Sequence, residues 1–321
     1  MRSPETASEY LAAASLAVRT SGGSGALEAL GWWGLLPHLD DPDLRTAAFA
    51  LFRAQGRELA SSPALGGLLA QPYIAGMAIA PGVVLATVRR GSEANGPKFV
   101  VVGDPVGRQL LIDRPGHGAA IVGLDNLDLR LIELPGRLVV YEVTLDPTEA
   151  ATSIPEPQAR AARTRSNFLG RVALALEILG AAEGAVDLAI EYARSREQFG
   201  KPIGQFQAVR HLLAWASTDC TAVANVAREV VALDTAAPPR YDEVTKAIAG
   251  RNGRKACERA LQVLGGIGFT AEHDHHHFHS RVLALDSLLG TSAELTHGLG
   301  AWLRTERPDP AFTSAILTGV A

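Results

Sequence analysis

The stretch Arg194-Ser195-Arg196-Glu197-Gln198-Phe199-Gly200-Lys201-Pro202-Ile203-Gly204-Gln205-Phe206-Gln207 decides how the rest of the chain is read. Taken by itself it is a tight polar turn whose glycines permit backbone bends. It joins two helical patterns. After it, Phe206, Val209, Leu213, Ala216, Cys220, Val223 and Val230 recur at the spacing of one helix face, an apolar stripe sustained over several turns. Within the turn, Arg196 offers a planar fork suited to a phosphate or pyrophosphate. The plainer reading, a surface arginine on a helix end, is the commoner case for such a residue.

Working outward, the spacing predicts helices near 160–195, 205–235, 240–264 and 281–305, joined by short connections into an antiparallel bundle. Before them lies a Pro-punctuated linker, Ile154–Pro157. Upstream of the linker the texture changes to short β-rich runs: Val83–Val88, Phe99–Val102, Gln109–Ile112, Ala119–Val122 and Leu138–Val143. Leu127, Leu129 and Leu131 alternate with Asp128 and Arg130, as in a strand with one wet face. These runs predict a small antiparallel sheet or barrel. The first part is rich in Ala and Leu and reads as short helices, broken by the flexible stretch Ser21-Gly22-Gly23-Ser24-Gly25. The fold class is therefore α+β, mainly α, in three parts: an N-terminal helical region over 1–72, a middle β-domain over 73–152, and a C-terminal helical bundle over 153–321.

Composition narrows the function classes. Hydrophobic residues make up 47% and charged residues 20% of 321 residues, ordinary for a globular protein. A net charge of −4 offers no basic surface for nucleic acid. No uncharged apolar run is long enough to span a membrane. Glu5 and Glu9 interrupt the region a secretory leader keeps apolar, so a cytoplasmic chain is expected. Cys220 and Cys257 form no CxxC and no metal spacing, and read as small buried hydrophobes.

A second motif, Gln262-Val263-Leu264-Gly265-Gly266-Ile267-Gly268-Phe269, ends another predicted helix. Its glycines allow close approach of a ligand, and exposed amides there suit an anion; alone, the pattern is more often a helix stop. It does not follow a strand as a GxGxxG fingerprint does, which argues against a nicotinamide-binding unit. Together, SREQFGKPIGQFQAVRH and QVLGGIGFTAEHD resemble the signature pair of the acyl-CoA dehydrogenases, firmly over residues 160–300 and only in element order before them. The resemblance implies FAD-dependent α,β-dehydrogenation of an acyl-CoA thioester, with electrons leaving to an external acceptor. It further implies that Arg196 and Gln207 contact FAD across a subunit interface. Gln262, Gly265 and Gly266 would cradle the ADP portion, and Thr291, after Gly290, would lie near the FAD of its own subunit. Arg171 matches a family arginine early in the long helix that ends at the first motif.

The departures are as informative. Family members carry the α-proton base in a Tyr-Glu-Gly-Thr segment, which aligns here with Leu288-Leu289-Gly290-Thr291, so Leu289 stands in place of the glutamate. Other members place the base on the first long bundle helix, at the position that falls on Gly170. A positioned general base contributes ~10²–10⁴-fold, roughly 3–5 kcal/mol of barrier, and neither leucine nor glycine accepts a proton. Glu177, two turns on from Gly170 and about 10 Å away along the helix, is the one candidate for a relocated base. Ala293 replaces a glutamine that commonly holds adenine, and the middle segment that backs the flavin ring has no clear counterpart. This combination resembles the short, base-less subunits of actinobacterial heteromeric acyl-CoA dehydrogenases, some acting on steroid side-chain thioesters. It implies a larger catalytic partner subunit and FAD shared across the interface.

Three rivals stand behind that reading. One is a structural partner that never touches flavin, and another is a stand-alone flavin monooxygenase of the same fold. The third is a metal-dependent hydrolase, suggested by His273-Asp274-His275-His276-His277-Phe278-His279. Adjacent histidines point in different directions, so a solvated, partly interfacial loop is the expectation there and no metal site is assigned.

Overall fold

The structure, a computed structural model, describes residues 4–79, 82–88, 99–105, 107–124, 127–144 and 152–306. Parts of the expected middle domain and the last residues of the expected third one, 307–321, lie outside that set. Helices α1 (Pro4–Ala29), α2 (Trp32–Leu35), α3 (Pro42–Glu58) and α4 (Ala64–Ile74) come first. Strands β1 (Val83–Val88), β2 (Phe99–Val102), β3 (Gln109–Arg114), β4 (Gly118–Val122), β5 (Asp128–Leu134), β6 (Leu138–Thr144) and β7 (Thr152–Ile154) follow. The rest is α5 (Glu156–Ser195), a ribbon of β8 (Glu197–Gln198) and β9 (Lys201–Pro202), α6 (Gln207–Leu233), α7 (Tyr241–Leu264), α8 (His275–Asp286) and α9 (Ser292–Glu306). The three-part order of helices, sheet and bundle is as expected.

The expected break at the glycine run 21–25 is present: Gly22 (φ 71°, ψ 174°) leaves the helical region, so α1 is two helices meeting at a kink. Three details differ from the sequence expectation. The sheet, in the order β5-β6-β2-β1-β3-β4-β7, is not wholly antiparallel. β2 and β3 flank β1 on opposite sides, so β3 enters beside the start of β1 and runs parallel to it. The linker at 154–157 is no linker: β7 ends at Ile154, and Pro155 and Pro157 start α5 directly. The single helix expected over 281–305 is two, broken where Leu289 (φ 53°) and Gly290 (φ 100°) adopt left-handed backbone.

Helix α5 organises the molecule. It packs against α3, α4, α6, α7 and α8, and buries residues on all sides through its middle, as a helix that is apolar all round must. Glycines set its closest approaches. A β-carbon at Gly180 would collide with the Arg53 carbonyl on α3, and one at Gly56 with the Glu177 carbonyl, so the α3 and α5 backbones meet directly. The sheet is tied to the bundle by Asp113 on β3, which accepts from Tyr73 Oη (3.0 Å) and from Arg163 Nη2 (2.6 Å).

Candidate flavin-interface site

The residues singled out by sequence fall into two groups. The first sits at one end of the bundle. Helices α5, α6 and α7 run side by side with short connections, so the end of α5, the start of α6 and the end of α7 share that end. Arg196 caps α5: its N–H donates to Tyr192 O (2.8 Å), and its carbonyl accepts from Ile203 N (2.8 Å). Its exposed guanidinium has no hydrogen-bond or ion-pair partner among the described residues. Gln207, the first residue of α6, and Gln262, in the last turn of α7, are exposed beside it. Gly265 turns the chain out of α7 with φ 63°, and a β-carbon at Gly265 or Gly266 would meet only open space. The β8–β9 turn adds a residue that pattern reading passed over. Phe199 is 91% exposed at φ 54°, a strained backbone for an aromatic residue. Its ring sits 6.2 Å from that of Phe206, which also carries the Lys201 ammonium at 4.5 Å. Phe269, just beyond the glycine turn, is also exposed (78%).

The second group lies about 40 Å back along α5 at 1.5 Å per residue, farther than an extended FAD reaches. Gly170 and Leu289, the two positions that the sequence resemblance aligns with the family's base, face each other. A β-carbon at Gly170 would lie 2.5 Å from Leu289 Cδ1 and 2.5 Å from Leu69 Cδ2. Two leucine side chains therefore fill the space beside Gly170. Arg171 Nε donates to Leu289 O (3.1 Å), while its Nη1 pairs with Asp242 (2.8 Å). Thr291 caps α9 reciprocally with Glu294: Thr291 N donates to Glu294 Oε2 (3.0 Å), and Glu294 N donates to Thr291 Oγ1 (3.1 Å). Ala293, in the first turn of α9, is exposed.

Glu177 stands apart from both groups. It is buried, and Arg281 grips Oε1 through Nε (3.2 Å) and Nη2 (2.5 Å). Burial pushes its carboxyl above the ordinary range, against the pull of Arg281. Arg281 also donates to the carbonyls of Gly136 (3.3 Å) and Ala60, so the pair joins α5, α8, the β5–β6 turn and the end of α3. The histidine stretch opens α8. His275 is buried with Nε2 2.9 Å from Cys257 O, and no group of three or more His, Cys, Asp or Glu among the described residues is placed to hold a metal. Both cysteines are free and buried. A half-open cleft of about 320 Å³ lies elsewhere, between Trp33, Leu36, Gln71, Met77 and Val83, and no predicted site residue lines it.

Residues 162–302 match the family description "Acyl-CoA dehydrogenase, C-terminal domain". The chain is 31% identical over 254 residues to acyl-CoA dehydrogenase IpdE2 of Mycobacterium tuberculosis, covering 76% of this chain and 73% of that protein. The chain belongs to the acyl-CoA dehydrogenase family. It is also 32% identical over 249 residues to acyl-CoA dehydrogenase FadE34 of the same organism, although the match spans only 33% of that longer protein. Among solved structures it resembles a variant of the Tcur3481–Tcur3483 steroid ACAD, with TM-score 0.75 and 23% identity over 95% of this chain and 99% of that one. The ChsE4–ChsE5 complex of Mycobacterium tuberculosis gives TM-score 0.71 and 18% identity over 95% and 98%. At those identities the likeness carries the acyl-CoA dehydrogenase fold alone. Proteins of this fold typically bind FAD. The donor set at the bundle end fits that group: a free guanidinium, two exposed carboxamides and an open glycine turn suit an anionic dinucleotide. Among the described residues no helix is long and apolar enough to cross a membrane.

Proposed function

We propose that this chain is the smaller, base-less subunit of a heteromeric acyl-CoA dehydrogenase, completing a flavin site carried mostly by a larger partner. The observation that supports it most is the pair of leucines, Leu289 and Leu69, packed where a β-carbon of residue 170 would point. Neither usual base position holds a carboxylate, and Glu177 is held by Arg281. The two groups of site residues lie about 40 Å apart along α5, which supports a flavin shared between subunits. The likeness to a steroid ACAD and to a two-protein complex supports a bulky acyl-CoA thioester as substrate and a related, larger subunit as partner.

In this reading the partner carboxylate removes the substrate's α-proton. Bound FAD would supply the hydride-accepting chemistry for the β-position, with electrons passing on to an external acceptor. This chain's residues bind and enclose. Arg196 and Gln207 would contact FAD across the subunit interface, Gln262 with the Gly265–Gly266 turn would cradle its ADP portion, and Thr291 would lie near the FAD of its own subunit. The three-part division at 72 and 152 belongs to the same proposal, as does a cytoplasmic setting.

Arg196→Ala in the assembled complex tests the reading. Loss of one charge-assisted contact of about 1.5–3 kcal/mol should raise the FAD dissociation constant roughly 10–100-fold. Unchanged flavin content would favour a structural partner that never touches flavin.

A further inference from the structure

The turn between α8 and α9 is held from beneath by a buried cation. Lys246, on α7, is 0% exposed, and its ammonium donates to Asp286 O (3.0 Å), Asp286 Oδ1 (3.4 Å) and Gly290 O (3.4 Å). Its three N–H donors thus match three acceptors at the two ends of the turn. Asp286 passes the grip on: its carboxylate accepts from Ser292 N (3.0 Å) and Ser292 Oγ (3.0 Å), at the start of α9. Gly250 makes room, since a β-carbon there would strike the Asp286 carboxylate. Arg171 holds the same turn through Leu289 O (3.1 Å). Burying an ammonium is costly, and burial pulls Lys246 down to about 8. What the contacts secure is the path through Leu289 and Gly290, both left-handed, which leads directly into Thr291.

We propose that Lys246 is a positioning residue: its buried ammonium clamps the 287–291 turn and so fixes where Thr291 meets the flavin. The flavin half rests on the function proposed above, whereas the clamp itself does not. Lys246→Met separates the two. In the chain alone, amide exchange at Ser292 should speed up about tenfold or more, while Cys220 and Val223 in α6 keep their rates. In the mixed assembly, the variant should bind FAD about tenfold more weakly with the assembly's mass unchanged. Unchanged exchange at Ser292, or equal acceleration throughout the bundle, overturns the clamp. If Lys246→Met does not fold, Asp286→Ala removes the carboxylate that links Lys246 to Ser292 and is read by the same amide. A wild-type assembly without FAD contradicts the proposed function and leaves exchange to decide the clamp. Tight FAD binding by Lys246→Met in an assembly that does hold flavin overturns the positioning role.

Discussion

At the scale of residues, Glu177 separates chemistry from architecture. A general base must reach a substrate proton, yet this carboxylate is enclosed and shared among four segments through Arg281. Arg281→Met leaves a buried carboxylate unpaired and should cost about 3–5 kcal/mol, measured by urea unfolding. A loss near zero would mean that Glu177 is not held by Arg281 and would return it to the candidate bases. His275 gives a second test. Burial lowers its pKa from the ordinary value of 6.5, and His277 and His279 shift the same way. Below pH 6.5 the unfolded chain therefore binds more protons than the folded one. Stability should be full above that pH and decline as pH falls below it, and His275→Gln should flatten the decline. The aligned motifs singled out positions 170 and 289, and the structure packs the two against each other. The Glu177–Arg281 pair was not legible, because sequence does not reveal which distant side chains meet. Lys246 left a faint trace: it stands among Thr245, Ala249, Gly250 and Gly253, small residues that mark a face closely covered by other helices.

At the scale of elements, α5 carries the fold, and its glycines decide how closely its neighbours come. Gly180→Ala gains about 1 kcal/mol of helix propensity but drives a methyl group into the Arg53 carbonyl. Backbone has no rotamer through which to escape, so a net loss of about 2–3 kcal/mol is the expected outcome in a denaturant titration. A neutral or stabilising result would mean that α3 does not lie directly on α5. The four bundle patterns were readable because apolar residues repeat over many turns, as from Phe206 to Val230. Breaks were harder. Gly22 interrupts α1 as its glycine run suggested, whereas Leu289-Gly290 gave a break where one helix was expected. At the second place the contacts of Lys246 and Arg171 with the turn were not visible in the sequence. The parallel β1–β3 pairing was also hidden, because strand periodicity reports the buried face and not the neighbour.

At the scale of the whole molecule, the proposed function gives this chain half a site in two places. One end of the bundle displays Arg196, unpartnered among the described residues, and a strained, exposed Phe199; farther back, Leu289 and Leu69 pack against Gly170. Resemblance singled out both groups in the sequence, and the unbroken α5 (Glu156–Ser195) sets the distance between them. The most direct measurement is flavin content and molar mass, for the chain purified alone and for the chain co-expressed with a larger acyl-CoA dehydrogenase subunit. The account predicts a flavin-free chain alone and stoichiometric FAD only in a mixed assembly. About one FAD per chain in the chain purified alone would contradict it.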